Sequence, residues 1–240
     1  GFTIAKRSYD ARKRGAITLI YAVDVDTSRE ADILARLQVD DEAVDGKVGP
    51  TPDTTYRFVA KSVAEQALRP LVIGMGPCGL FAGLILAQMG LKPIILERGK
   101  NVRERTVDTF GLWRKKILNP GTNVQCGEGG AGTFSDGKLN TGTHDARIGF
   151  VLAEFAAHGA PEHITYDAKP HIGTDVLVEV VQNLRREIID RGGEVRFGHR
   201  VTGLSTEDGR IAALTVAGPA GSYTLPARQV ILAIGHSARD

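Results

Sequence analysis

Three glycines, Gly74, Gly76 and Gly79, stand in the spacing G-x-G-x-x-G, and the carboxylate of Glu97 follows them. This set suits a phosphate-bearing ligand. The first glycine permits a tight turn, the second lets a pyrophosphate approach the backbone, and the third lets a helix pack closely on a strand. A helix opening there offers free N–H groups and the positive end of its dipole to an anion. An acid at the place of Glu97 hydrogen-bonds the ribose hydroxyls of an adenosine and disfavours a 2′-phosphate, so NADP is not expected in this turn.

A second glycine-rich run, CGEGGAGTFSDGKL, covers residues 126–139. Gly132 to Lys138 matches the GxxxxGK spacing of a nucleoside-triphosphate loop. Leu139 stands where Ser or Thr would hold Mg²⁺, and residues 127–131 are no buried strand, so that reading fails. The run reads instead as a loop lying close to the ligand of the first turn. Thr133, Ser135 and Lys138 would be its polar contacts, and its backbone N–H groups a nest for anionic atoms. Lys138 reads equally well as a solvated surface lysine.

His236, just past the last apolar run, is the acid–base candidate; a histidine capping a strand end is the competing reading. Cys78 opens the first helix, where the dipole lowers a thiol pKa. It has no C-x₂-C or C-x₄-C partner, however, and Cys78 and Cys126 read as packed or incidental thiols. The other histidines show no HxxxH or HExxH spacing, so no metal site is expected.

These groups need elements to hold them. Residues 71–73, the turn, a helix over 80–89 ended by Gly90, and a strand over 93–97 make a β-α-β unit. Residues 102–116 read as a basic helix with a solvated face and with Trp113 in the core. Apolar positions at a 3.6 period predict a helix over 174–191, followed by a strand over 194–197. Three short strands, 201–205, 211–216 and 222–225, form a meander with a turn at Asp208-Gly209. The closing run 229–234 is continuously apolar, the pattern of a strand buried on both faces. Residues 1–69 read as a small α+β module of their own: a strand over 17–26, a helix capped by Thr27 or Ser28, and an acidic loop over 40–53. The expected division is 1–69 and 70–240.

Composition narrows the classes. Of 240 residues 29 are glycine, and fourteen of these fall between Gly74 and Gly142, against a usual share of roughly 7%. Loops wrapped around a ligand explain such a cluster. A net charge of +2 gives no nucleic-acid footprint. No apolar run reaches the ~18 residues of a membrane helix. No n-region followed by an h-region is seen in these residues, and a cytoplasmic protein with a small-molecule substrate is expected.

The run VIGMGPCGL-x-AG-x-x-LA-x-x-G, followed by PIILERG, resembles the ADP-binding unit of FAD-dependent oxidoreductases of the two-dinucleotide-binding superfamily. GEGGAGTFSDGKLNT, the terminal GHSARD and the leading KRSYDARKR and YAVDVD are similar to bacterial FAD-dependent dehydrogenases described as NAD-utilizing. The resemblance implies an α/β, Rossmann-type FAD-binding domain with a parallel sheet and β-meander after a small α+β module. It implies non-covalent FAD, with NAD(P)H as an electron donor, and hydride transfer with an unknown substrate; a non-catalytic sensor or scaffold is the alternative. Gly74, Gly76 and Gly79 would contact the pyrophosphate, Glu97 the ribose, and Arg98 would flank the adenosine. Gly132, Thr133, Asp136, Gly137, Lys138 and Leu139 would lie along the flavin side. Val201 would meet adenine through its backbone, while Ala233 and Gly235 would border the cofactor and His236 approach the flavin. Ile234 departs from the threonine usual in that last turn. The resemblance also implies that the polypeptide continues past Asp240 to a Gly-Asp motif, so that these 240 residues alone retain FAD poorly.

Overall fold

The computed structural model describes residues 1–13, 15–37, 48–61, 68–135, 137–139 and 141–235. In chain order the elements are β1 (Phe2–Asp10), β2 (Thr18–Val25), α1 (Glu30–Leu37), β3 (Leu71–Ile73), α2 (Pro77–Gln88), β4 (Ile94–Glu97), α3 (Val102–Lys115), α4 (Arg147–Ala157), α5 (Thr174–Asp190), β5 (Glu194–Phe197), β6 (Arg200–Glu207), β7 (Arg210–Gly218), β8 (Gly221–Pro226) and β9 (Val230–Leu232). None of these helices is long and apolar enough to cross a membrane.

Two compact units form. The first holds Gly1–Tyr56, Leu139–Ala156 and Pro161–His171; the second holds Arg57–Lys138, Ala157–Ala160 and Ile172–Asp240. The units are thus discontinuous in sequence, whereas the sequence reading divides the chain once, after residue 69. In the first unit β1 and β2 make an antiparallel ribbon. Arg7 ties a distant segment to it: its N–H donates to the Tyr166 carbonyl at 2.7 Å, and its carbonyl accepts from Ala168 at 2.9 Å. The Arg7 guanidinium also grips both carboxylate oxygens of Asp167, at 2.7 and 2.9 Å. Strand β1 has no counterpart in the sequence reading, because Lys6, Arg7 and Ser8 in succession hide its alternation. Helix α4 likewise has no counterpart in the sequence reading.

The second unit is the α/β body. Its parallel sheet has the order β5-β4-β3-β9, and β6-β7-β8 form an antiparallel meander. Period-2 alternation sorts the sheet side chains onto two faces. Leu71, Ile94 and Leu96 join Leu214, Val216 and Ala227 in one buried cluster on the meander side. On the other face, Ile95 approaches so closely that a Cβ on Gly83 would stand 2.4 Å from its Cδ1. That glycine lets α2 lie flat on the sheet, beside Leu184 and Ile188 of α5, which are fully buried. Pro77 starts α2 earlier than the expected residue 80, since proline at the first helical position loses no hydrogen bond.

Two expectations are corrected. Strand β9 is not buried on both faces: among the described residues it is an edge strand of the sheet, and Leu232 is 66% exposed. Trp113 is not core. It lies on the outer face of α3 at 51% exposure, because the inward face carries Val102, Arg105 and Thr109.

Candidate dinucleotide site

Where β3 ends, Gly74 turns the chain with φ +97 and donates its N–H to the Leu96 carbonyl at 2.8 Å. A Cβ on Gly74 would stand 2.5 Å from the Ala233 carbonyl oxygen, and one on Gly79 would stand 1.9 Å from that of Gly74. Packing alone demands these two glycines. Gly76 is different. Its φ of −66 suits any residue, and a Cβ there would meet nothing within 4 Å. It caps α2 without a side-chain hydrogen bond, and the first turn of α2 carries no acid. The space in front of the helix dipole and its free N–H groups is therefore open to an anion.

Glu97 is 4% exposed. Its Oε2 accepts the Met75 N–H at 2.7 Å and its Oε1 the Gly99 N–H at 2.7 Å. The carboxylate clamps the middle of the glycine turn to the end of β4. Each oxygen has a further lone pair, and Glu97 lines the cleft in front of the turn.

The second glycine loop docks on the first. Gly129 donates its N–H to the Met75 carbonyl at 2.9 Å, and a Cβ on Gly130 would stand 2.7 Å from Pro77 Cδ. Behind the loop lies Arg105, fully buried. It donates to the carbonyls of Glu128 and Gly130 and to those of Asn123 and Val124 at 2.8 and 3.1 Å. Burial pushes its guanidinium down to about 10, so it stays cationic at neutral pH. The Glu128 side chain is also buried; it accepts the Val102 N–H at 2.6 Å and pairs with Arg185 at 2.8 Å. Burial pushes its carboxyl above the ordinary range, against the pull of Arg185 and of the Val102 N–H.

Together the two loops, the end of β4, the start of β6 and the end of β9 enclose a cleft of about 660 Å³, a size ordinary for a cofactor or ligand pocket. Of the candidate residues, Gly74, Gly76, Glu97, Arg98, Gly132, Val201, Ala233 and Gly235 line it. Gly79 stands behind the turn. Thr133, expected as a polar contact, is buried and donates its hydroxyl to the Gly130 carbonyl at 2.8 Å. Gly137 backs onto Gly173, where a Cβ would stand 2.5 Å from the Gly173 nitrogen. Ser135 bonds its own loop, at the Gly132 carbonyl. Lys138 does not line the cleft. Leu139 belongs to the first unit and donates to the Pro170 carbonyl. Asp136 and His236 lie outside the described residues.

Three cleft features escaped the sequence reading. Cys126 and His199 both line the cleft, and Arg98 donates to the Cys126 sulfur at 3.5 Å. Arg105 holds the loop from behind. In the sequence it sits in VRERT and looks like one more solvated charge; only its place on the face of Val102 and Thr109 marks it as inward.

A parallel sheet with a glycine turn at the end of its first strand, a helix dipole facing an open cradle, and an acid at the end of the next strand define a dinucleotide-binding α/β protein. The chain belongs to the family described as the FAD binding domain, which matches residues 68–238, and its cofactor is FAD. An uncharacterized protein of Clostridium beijerinckii is 41% identical over 237 residues, which are 99% of this chain and 43% of that protein. The chain thus spans less than half the length of that relative. Among solved structures, THI4 of Thermovibrio ammonificans is similar with a TM-score of 0.45 and 19% identity, over 71% of this chain and 58% of that one. The p-nitrophenol 4-monooxygenase PnpA of Pseudomonas putida gives 0.44 and 18%, over 72% and 42%.

Proposed function

We propose that this chain is the cofactor-binding part of an FAD-dependent oxidoreductase that moves a hydride between a small-molecule substrate, or NAD(P)H, and FAD. The observation that carries the reading is the pair Gly76 and Gly132. Neither has a positive φ, and a Cβ on either would meet at most one atom, at 4.0 Å. Both line the cleft, so a ligand that needs the space accounts for glycine at both positions.

Bound FAD supplies the redox chemistry; the protein binds, orients and shields it. In this reading the first turn of α2 holds the pyrophosphate, Glu97 accepts from the adenosine ribose, and Val201 borders the adenine. Ala233, beside the glycine turn, and Gly235 border the cofactor. His236 is the proposed proton donor or acceptor near the flavin. The partner is a small molecule; neither nucleic acid nor membrane enters the proposal.

The test purifies the full-length protein to which this chain belongs and records its visible spectrum and the mass of the released cofactor. A yellow protein that releases FAD is the expected result; a colourless protein that takes up none overturns the reading. Anaerobic addition of NADH then separates an enzyme from a scaffold. Bleaching of the bound flavin supports turnover, and a stable oxidised spectrum with every donor tried leaves only the binding module.

A further inference from the structure

Arg105 is the only lysine or arginine that is fully buried among the described residues. Its hydrogen bonds go to four backbone carbonyls and to no carboxylate. The Phe134 ring covers it at 4.8 Å. Gly127 makes room for it: a Cβ there would stand 2.5 Å from Arg105 Cδ. A buried cation hydrogen-bonded only to carbonyls is costly to keep; the buried carboxylates Glu97 and Glu128 favour it through space, while their oxygens accept from Met75 and Gly99 and from Val102 and Arg185. The helix therefore carries a cation whose hydrogen bonds all go to the loop backbone.

Peptide planarity says what that charge does to the loop. In a trans peptide the carbonyl and the following N–H point in opposite directions. The Glu128 carbonyl turns back to Arg105, and the next N–H, that of Gly129, points forward to the Met75 carbonyl of the first turn at 2.9 Å. The Gly130 carbonyl also turns back to Arg105. The next N–H, that of Ala131, is thereby aimed away from the guanidinium, and Ala131 and Gly132 line the cleft.

We infer that Arg105 is a positioning residue for the cofactor: it holds the carbonyl side of the second glycine loop inward, so that the N–H side faces the cleft, and its positive charge favours the phosphates of a dinucleotide bound there. It touches no ligand atom itself. The inference rests on the proposed FAD reading and adds to it a residue that acts through the loop. Lysine in its place keeps the charge and three donors for the loop carbonyls and loses only the planar fork; methionine keeps the bulk and loses both charge and donors.

The experiment measures ADP binding by calorimetry, together with the melting temperature without ligand, for the whole chain, Arg105→Met and Arg105→Lys. Arg105→Met weakens ADP binding by about tenfold or more, while Arg105→Lys stays within about threefold of the unaltered chain. The inference falls if Arg105→Met binds ADP within threefold of the unaltered chain, or if Arg105→Lys binds no better than Arg105→Met. A purely architectural arginine would give the latter result, with affinity falling in step with melting temperature. If Arg105→Met does not fold, Arg105→Lys decides alone. Affinity within about threefold beside a lowered melting temperature supports the charge role, and a larger loss overturns it. An unaltered chain that binds no ADP removes this inference together with the proposed function, whereas a lost contrast between the two variants removes this inference only.

Discussion

A Cβ placed on Gly79 would stand 1.9 Å from the carbonyl oxygen of Gly74. Helix and strand are in contact there through backbone alone, and no side chain can yield. Gly79→Ala is expected to destabilise the protein by about 3 kcal/mol or more, since it overpacks a site with no flexible neighbour. Gly76→Ala separates the two jobs of the motif. Its backbone and surroundings accept a methyl group, so stability falls by less than about 1 kcal/mol, while FAD affinity falls by about tenfold or more as the cradle fills. Urea unfolding and flavin titration of both variants check the pair, and equal effects in either measurement defeat the distinction.

Glu97 is expected to matter before any nucleotide arrives. Its two oxygens each hold a backbone N–H at 2.7 Å, and glutamine offers only one acceptor to two donors. Glu97→Gln should therefore lower the stability of the ligand-free protein by about 1–3 kcal/mol, the cost of a buried donor left unpaired. Glutamine can still hydrogen-bond a ribose hydroxyl. An acid used for ribose alone would leave ligand-free stability unchanged, and that outcome sinks the prediction.

Trp113 is the only tryptophan in the chain, half exposed, and edge-on to Phe134 of the second glycine loop at 6.4 Å. Its emission should resemble that of a solvated indole and respond strongly to acrylamide. Because its neighbour belongs to the cofactor loop, added FAD should quench it. A blue-shifted emission that resists acrylamide would place the ring in a core and contradict the structure.

The Arg7–Asp167 pair gives the first unit its own pH signature. The hydrogen bonds from Arg7 hold the Asp167 carboxyl below its ordinary range. A carboxyl with a depressed folded value contributes stability above its unfolded value, about 3.9, and loses it as pH falls through the folded value. The stability gap between the unaltered protein and Asp167→Asn should be present above about pH 4 and close below it. Melting curves across the acid range check this; a gap that widens on acidification reverses the sign and refutes it.

The sequence discloses what is local. Gly74, Gly76 and Gly79 lie within one turn, and Glu97 is one strand away, so spacing alone marks them. The helix over α5 shows through its 3.6 period, and the meander through its turn at Asp208-Gly209. Hidden are the features that depend on partners far along the chain. Strand β9 reads as interior because its residues are apolar, yet its rank in the sheet is decided by β3, more than 150 residues earlier. Thr133 has the chemistry of a ligand contact, but its hydroxyl is taken by the carbonyl three residues back. Arg105 sits among charges that face water, and nothing in VRERT tells which of them turns inward. The pairing of Arg7 with Asp167 spans 160 residues and leaves no trace in either segment.

The placement of β9 has a further consequence, for how the sheet behaves toward other chains. An edge strand is an open row of donors and acceptors, and a long one invites pairing with a stray strand from a neighbour. Here the edge is three residues long, and Gly235, with φ +76, bends the backbone away soon after. A foreign strand docking there gains only a short ladder before the template ends. The same brevity that lets β9 finish beside the glycine turn, with Ala233 at the cleft, also makes this border a poor seed for aggregation.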